Sequence, residues 1–377
     1  MVKRFLLIPL MVVLAGALIF GGCAAPAPAP APVAPGPGPT PSPAPGPAAP
    51  APAAEKVIEL RFSTHNPTTS GKHIRAFAPW SEMIGEATNG RVKVTIYPTG
   101  TLSGPRDTYD ATVTGICDIG WFDAAMEPGR FPLITDIYSL PGAGISNCEM
   151  GSWVLWNLYK NTPEIQASLA ETKVLFMHAF APLAIATANV PIRTLDDVKG
   201  LKIRAAPGGT GKLIELAGGT AVHMIPHDIY VSMEKGILDG NAMGWEGHGA
   251  FRITELAQYF TPVPAFGGPQ FVTCINKERW NSLPADIQQA ILSVSDDVGA
   301  KLYGQGDDTT SQIVMDEIRS YGGEIITLSA EEQNRWNELA KPLQDETLDK
   351  LEAQGLPARK VWNELLRLVQ EYKEKYG

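Results

Sequence analysis

The sequence predicts an α/β protein of two lobes, each built on a parallel sheet covered by helices. Three observations carry this expectation. After residue 55, short apolar strands alternate with helical stretches. The β-α-β-α-β pattern then recurs beyond a helical middle section. The last third is helical, and 377 residues with 44% hydrophobic content suffice for one large or two medium cores.

In the first half, Val57–Ser63 alternates apolar and polar residues as a strand does. The loop Thr64–Gly71 follows, and Ile74, Phe77, Ile84 and Ala87 recur at roughly helical spacing up to the stop at Thr88-Asn89-Gly90. Val92–Tyr97 reads as a strand, Arg106–Gly115 as a helix and Asp118–Phe122 as a short buried strand. Glu149–Leu158 is the helical middle. The second half reads as strand Val174–Phe180, helical turn Asp196–Lys199, strand Leu201–Ala205, helix Thr210–Ala217, strand Thr220–Ile225, helix Asp228–Gly236 and strand Asn241–Trp245. Phe271–Asn276 is a further strand and Pro284–Tyr321 a long amphipathic stretch. Ser329 with Glu332 forms a capping box, and Val361–Tyr376 is the last helix, with Leu365, Leu366, Leu368 and Val369 on its apolar side.

The amino terminus reads as an export signal. Lys3 and Arg4 precede an apolar run from Phe5 to Phe20, closed by Gly21, Gly22 and Cys23. The glycine pair before Cys23 resembles a bacterial lipobox, so residues 1–22 are expected to leave and Cys23 to carry lipid, anchoring the protein to a membrane. Residues 24–54 are almost all Ala and Pro. Proline lacks the donor that helices and sheets need, so 23–54 is expected to be an extended tether, reaching up to about 95 Å at roughly 3.1 Å per residue. The expected location is extracytoplasmic.

The net charge of −9 becomes −11 once Lys3 and Arg4 leave, and no basic cluster marks a nucleic-acid footprint. Cys117, Cys148 and Cys274 lack CxxC spacing and sit in apolar contexts, as buried thiols do. The run Ala205–Leu213 is not a phosphate loop: Ala206 stands where the first glycine belongs, and Leu213 replaces the hydroxyl that holds magnesium. No GxSxG, HExxH or GxGxxG motif is present, and Pro226 separates His223 from His227. Nothing organises a nucleophile and a base, so a binding function is expected rather than an enzyme, with no cofactor.

The most informative stretch is Leu195-Asp196-Asp197-Val198-Lys199-Gly200-Leu201-Lys202-Ile203-Arg204. An acidic turn leads into a strand ending in Arg204, which places a guanidinium at a strand's carboxyl edge. Ligands of open α/β sheets bind there, and the planar fork suits a carboxylate. A structural acid would satisfy Arg204 equally well. This stretch, with Tyr230, Met233, Gly236, Asp239 and Gly240, resembles the DctP-type solute-binding subunits of TRAP transporters; Thr88–Val94 and Gly115–Gly120 are similar to the family's opening lobe. The resemblance spans about residues 57–375.

It implies a type II periplasmic-binding-protein-like fold, with lobes joined by hinge strands and a long helix. The expected lobes are 55–180 with 270–308, and 181–269 with 309–377. It further implies that Arg204 binds the carboxylate of a small organic acid, delivered to TRAP permease subunits that run on an ion gradient. An ABC-importer-type receptor and an extracytoplasmic sensor or enzyme domain are the alternatives. Many members carry another arginine before the acidic turn. Here the segment His178–Thr187 has none, which implies a monocarboxylate. Trp245-Glu246 resembles members that hold 2-oxo or 2-hydroxy acids with a bound cation. Glu246 is therefore either an oxygen ligand of Na⁺ or Ca²⁺ or the partner of a lysine. From strand-end position, His65, Asn66, Trp121, Phe122, Met243, Trp245 and Phe271 are the remaining ligand-binding candidates, and at least two of the four aromatics are expected to face the cleft.

Overall fold

Alternation along Ile58–Ser63 (β1) turns Leu60 and Phe62 into the core and leaves Glu59 and Arg61 outside. β1 pairs in parallel with Val92–Tyr97 (β2) and Ile119–Asp123 (β3). The sheet continues through Gln270–Asn276 (β10) to Thr172–Ala179 (β4), in the order β2-β1-β3-β10-β4. A second sheet combines Ala184–Thr187 (β5), Lys202–Arg204 (β6), Thr220–Val222 (β7), Gly240–Met243 (β8), Tyr259–Pro262 (β9) and Glu324–Ile325 (β11), in the order β11-β9-β5-β8-β6-β7. This computed structural model describes residues 36, 38, 56–180, 182–206, 208–224 and 226–376. The expected signal 1–22 and, but for two glycines, the expected tether 23–54 with Cys23 lie outside the described residues.

The two-lobed α/β architecture is present, but the sheets are mixed rather than purely parallel. β10 runs antiparallel to both β3 and β4, and β5 runs antiparallel to both β8 and β9. The chain leaves the first lobe on β4 and returns on β10, so the returning strand must run against its neighbours. The same holds for β5 in the second lobe. The strand Asn241–Trp245 is shorter than expected: β8 ends at Met243, and Trp245 opens the helix Trp245–Ala250.

The stretch 284–321 is two helices, Ala285–Ser293 and Asp296–Ser320, separated at Val294-Ser295. The second, about 37 Å long at 1.5 Å per residue, serves both lobes. Its first half packs on the helix Cys148–Asn161, where a Cβ on Gly304 would stand 2.7 Å from the Glu149 Cα. Only glycine permits that approach. Its second half places Val314 and Ile318 in the second lobe's core.

The carboxyl-terminal lobe boundary departs from expectation. Leu348, Leu351, Val361, Trp362, Leu365, Leu368 and Val369 join the first lobe's core, not the second's. The reason is the helix Ala358–Tyr376, which lies against Cys148–Asn161. Leu366 faces solvent. Ser329 caps the helix Ala330–Ala353 by accepting the Glu332 N–H at 3.2 Å. The reciprocal half of the box is replaced, because the Glu332 carboxylate accepts the Leu195 N–H at 2.7 Å. Cys117 and Cys274 are buried free thiols, and Cys148 is buried too.

Candidate functional site

The acidic turn before β6 is structural. Asp197 completes a capping box with Thr194, and Asp196 pairs with Lys199 at 2.6 Å and Arg335 at 2.8 Å. Asp239 accepts the Lys202 N–H, which ties the end of the Gly236 turn to β6; Gly236 sits at φ +68°, the left-handed region that favours glycine.

Arg204 stands apart from this network. It is 7% exposed, and its Nε donates to the Met224 carbonyl at 3.2 Å. Among the described residues no carboxylate lies within ion-pairing distance of it. Burial lowers its pKa and no neighbouring acid raises it. A buried guanidinium with one backbone acceptor leaves most of its donors available to an anion.

A second buried charge system joins the first lobe to the shared helix, and its Lys72 and Asp307 were missed in the sequence reading. Lys72, just ahead of the first long helix, contacts Asp307 on the Asp296–Ser320 helix; each is 1% exposed. His178, at the end of β4, lies 3.4 Å from both Lys72 Nζ and Asp307 Oδ2. Its Nε2 accepts the Trp121 Nε1–H at 2.8 Å. Burial, with Lys72 adding to it, holds His178 neutral far below its usual range. Burial pushes Asp307 up to about 6, against the opposing pull of Lys72.

Glu246, from the second lobe, belongs to the same neighbourhood. Burial raises its carboxyl, while the Lys72 ammonium and backbone N–H and the Arg75 guanidinium pull it back. Lys72 is close enough to act on Glu246, but its ammonium pairs with Asp307 and is buried rather than on a rim. Ca²⁺ takes six to eight oxygens. Among the described residues no group of three or more His, Cys, Asp or Glu side chains converges anywhere. Carboxylates and imidazoles alone therefore do not complete a Na⁺ or Ca²⁺ site at Glu246.

The aromatic candidates separate by strand face. Trp121 stacks on Phe271 at 4.6 Å and touches His65 at 4.9 Å; Phe271 in turn stacks on His178 at 4.9 Å. Phe122 points to the opposite face, against Tyr109 and Phe131, because successive strand residues alternate. It is core, not cleft. Trp245 packs on His248 and Phe260 in the second lobe's core. Even Phe271, with the most open surface of the four, is 6% exposed. The expected open aromatic pocket is therefore a buried stack, and half-buried Phe180, His65, Asn66 and Met243 are the more accessible groups. Phe180 lies under the Lys72 ammonium, 4.6 Å from ring centre to Nζ. The strand-end position of Phe180 was visible in the sequence; Lys72 and Asp307, 235 positions apart, carried no such signal.

Two α/β lobes, crossing strands, a shared long helix and an unpaired buried arginine at a strand's carboxyl end define a two-lobed solute-binding protein. A family model, DctP, described as bacterial extracellular solute-binding protein, family 7, matches residues 62–351. The chain belongs to this family and is a DctP-like solute-binding subunit of a TRAP transporter, a class that works with membrane permease subunits. A TRAP periplasmic solute-binding protein from Desulfovibrio salexigens, solved as an open complex, is 28% identical with a TM-score of 0.78, covering 85% of this chain and 98% of that one. A marine metagenome TRAP protein specific for aromatic acid ligands, solved with metahydroxyphenylacetate, is 28% identical with a TM-score of 0.75, covering 84% and 99%. The monocarboxylate 2-oxoacid-binding periplasmic protein of Nostoc is 23% identical over 286 residues, covering 73% of this chain and 75% of that one. Among the described residues no helix is long and apolar enough to cross a membrane.

Proposed function

We propose that this protein captures a small monocarboxylic acid outside the cytoplasm, tethered by lipid at Cys23, and presents it to an ion-gradient-driven TRAP permease. The observation that carries the reading is Arg204, buried at 7% exposure with no acid beside it. The acid ligands of similar proteins support it: the marine protein is specific for aromatic acids and the Nostoc protein binds monocarboxylate 2-oxoacids.

The charge balance of the cleft favours one carboxylate. Lys72 is engaged by Asp307, and Glu246 adds a negative group. His178, His65 and, within reach of the Arg204 charge, His248 are all held towards neutrality by burial. The remaining nearby cation, Arg75, is drawn towards Glu246, so a second ligand carboxylate would compete for it, and burying an unpaired ion costs several kcal/mol.

Calorimetric titration tests this reading. Arg204→Ala is expected to weaken monocarboxylate binding about 30-fold or more, from a cost of roughly 2–5 kcal/mol for truncating one partner of a buried charge pair. Arg204→Lys should rescue only part, because an ammonium cannot make the planar two-point contact. Succinate should bind more weakly than monoacids at pH 7.5 and gain nothing at pH 6. Unchanged affinity in Arg204→Ala would sink the assignment, and submicromolar succinate binding independent of pH would sink the monoacid reading.

A further inference from the structure

The hold on Arg204 comes from a backbone segment that belongs to no strand. β6 and β7 pair in parallel from Lys202 with Thr220 to Arg204 with Val222, and the ladder runs one rung further, from the Ala205 N–H to the Val222 carbonyl at 3.2 Å. The next two rungs of a parallel ladder would join the Met224 N–H to the Ala205 carbonyl, and the N–H of residue 207 to the Met224 carbonyl. Among the described residues the first is not formed. The second has no donor, because residue 207 is proline. Both carbonyls accept from side chains instead. The Ala205 carbonyl takes the His223 imidazole, with Nδ1 at 3.0 Å, and the Met224 carbonyl takes the Arg204 Nε–H at 3.2 Å.

A carbonyl can only accept, so His223 Nδ1 carries the proton of its bond. The ring lies over the helix Gly209–Leu216, where a Cβ on Gly211 would stand 3.2 Å from the imidazole Cε1. Among the described residues the imidazole bond is the one tie between residues 223–224 and the end of β6, apart from the bond to Arg204 itself. His223 is exposed, so it adds little to the core that surrounds β6.

We propose that His223 is a positioning residue for Arg204: its imidazole replaces a backbone rung on the Ala205 carbonyl and so fixes the neighbouring Met224 carbonyl, which holds the guanidinium by Nε. This rests on the carboxylate reading of Arg204. With Nε engaged, the two terminal nitrogens are the part of the fork left for an anion, and a carboxylate meets them end-on through two parallel bonds. A guanidinium free to turn has to be ordered when the ligand arrives, which costs affinity. One already held by Nε does not lose that freedom on binding.

Calorimetric titration of acetate, pyruvate, benzoate and phenylacetate into wild type, His223→Ala, His223→Asn and Arg204→Ala tests the proposal. His223→Ala should weaken every acid that wild type binds by about three- to tenfold, the worth of one ordinary hydrogen bond. Asparagine carries an amide nitrogen where the imidazole has Nδ1, so His223→Asn should stay within about twofold of wild type. A second readout needs no ligand. In proton–nitrogen correlation spectra the Arg204 Nε–H signal, assigned by its absence from Arg204→Ala, should exchange faster with water in His223→Ala and recover in His223→Asn. Thermal melting should not separate wild type from the two His223 variants, because the residue is exposed. Unchanged affinity in His223→Ala overturns the proposal. So does a loss that asparagine does not restore, a loss that leaves the Nε–H signal untouched, or a loss that comes with a lowered melting temperature, which would make His223 structural. Acid binding lost in Arg204→Ala but intact in His223→Ala overturns this inference alone. Failure of wild type to bind any of the four acids, or equal binding by Arg204→Ala, overturns it together with the carboxylate reading.

Discussion

Replacing Asp307 by Asn tests whether the contact between the shared helix and the first lobe is held by charge. Asp307, Lys72 and His178 are buried to within 1% exposure. The substitution nearly preserves shape but removes the anion that Lys72 contacts, leaving an ammonium with His178 Nδ1 at 3.4 Å as its remaining close partner. Removing one member of a buried pair costs about 3–5 kcal/mol, because the other charge stays desolvated. Unfolding entropy near the melting temperature is about 2.1 cal/mol/K per residue, or about 0.7 kcal/mol/K for roughly 320 folded residues, so melting should fall by about 4–7 °C. Calorimetry at pH 7.5 is the appropriate assay. Asp307, pushed up to about 6, is ionised in wild type at that pH. Adding Lys72→Met to Asp307→Asn should restore much of the loss, since the double variant buries no charge in this pair. A single variant melting within about 1 °C of wild type, or a double variant worse than either single one, would refute the reasoning.

Asp123 offers a pH test with a defined sign. It is 9% exposed, and burial raises its carboxyl to about 6 although the Ala125 N–H pulls it back. An acid whose folded pKa lies above its unfolded value of about 3.9 costs nothing while protonated in both states, and costs stability increasingly as pH rises through the folded pKa. Asn can accept the same Ala125 N–H without charge, so Asp123→Asn should gain on wild type by up to about 3 kcal/mol between pH 4 and pH 6; a flat difference in urea unfolding across that window rejects it. For the anchor, Cys23→Ser should release the protein from the membrane fraction, and deletion within residues 30–50 should leave ligand affinity unchanged; a Cys23→Ser protein that stays membrane-bound shows that the apolar run, not lipid, holds the chain.

What was legible in the sequence follows from local physics. β2 matches its expected range, Val92–Tyr97, because both ends are marked: the Asn89-Gly90 turn, with both residues at positive φ, and the proline after Tyr97. Arg204 was legible because a short apolar strand ended in a charge. β5 and β9 were not, since Ala184–Thr187 and Tyr259–Pro262 are four residues each, too short for alternation to register. The aromatics were read by strand end alone, which ignores face: Phe122 and Trp121 are neighbours in sequence and lie on opposite sides of β3. The Lys72–Asp307–His178 system depends on contacts across 106 and 235 positions, and no local pattern announces such a pairing.

The position of that system bears on how the lobes move. The chain passes between them at β4 to β5 and again at β9 to β10, and the Asp296–Ser320 helix packs into both cores. Closure of such a structure is a bend absorbed at a few crossover residues, with the connected elements staying rigid. Asp307 sits on the shared helix and His178 at the end of the crossover strand β4. Both therefore lie beside the bend, where displacements are smallest, whereas Arg204 lies in the second lobe at the carboxyl end of β6. A buried ion pair tolerates little change in geometry, so a place near the bend allows it to persist in open and closed states alike. It follows that Asp307→Asn should lower melting temperature with little effect on ligand affinity, and Arg204→Ala should do the reverse. Paired melting and titration of both variants measure that separation directly, and an Asp307→Asn protein that keeps its stability but loses ligand would place Lys72 in contact with the ligand instead.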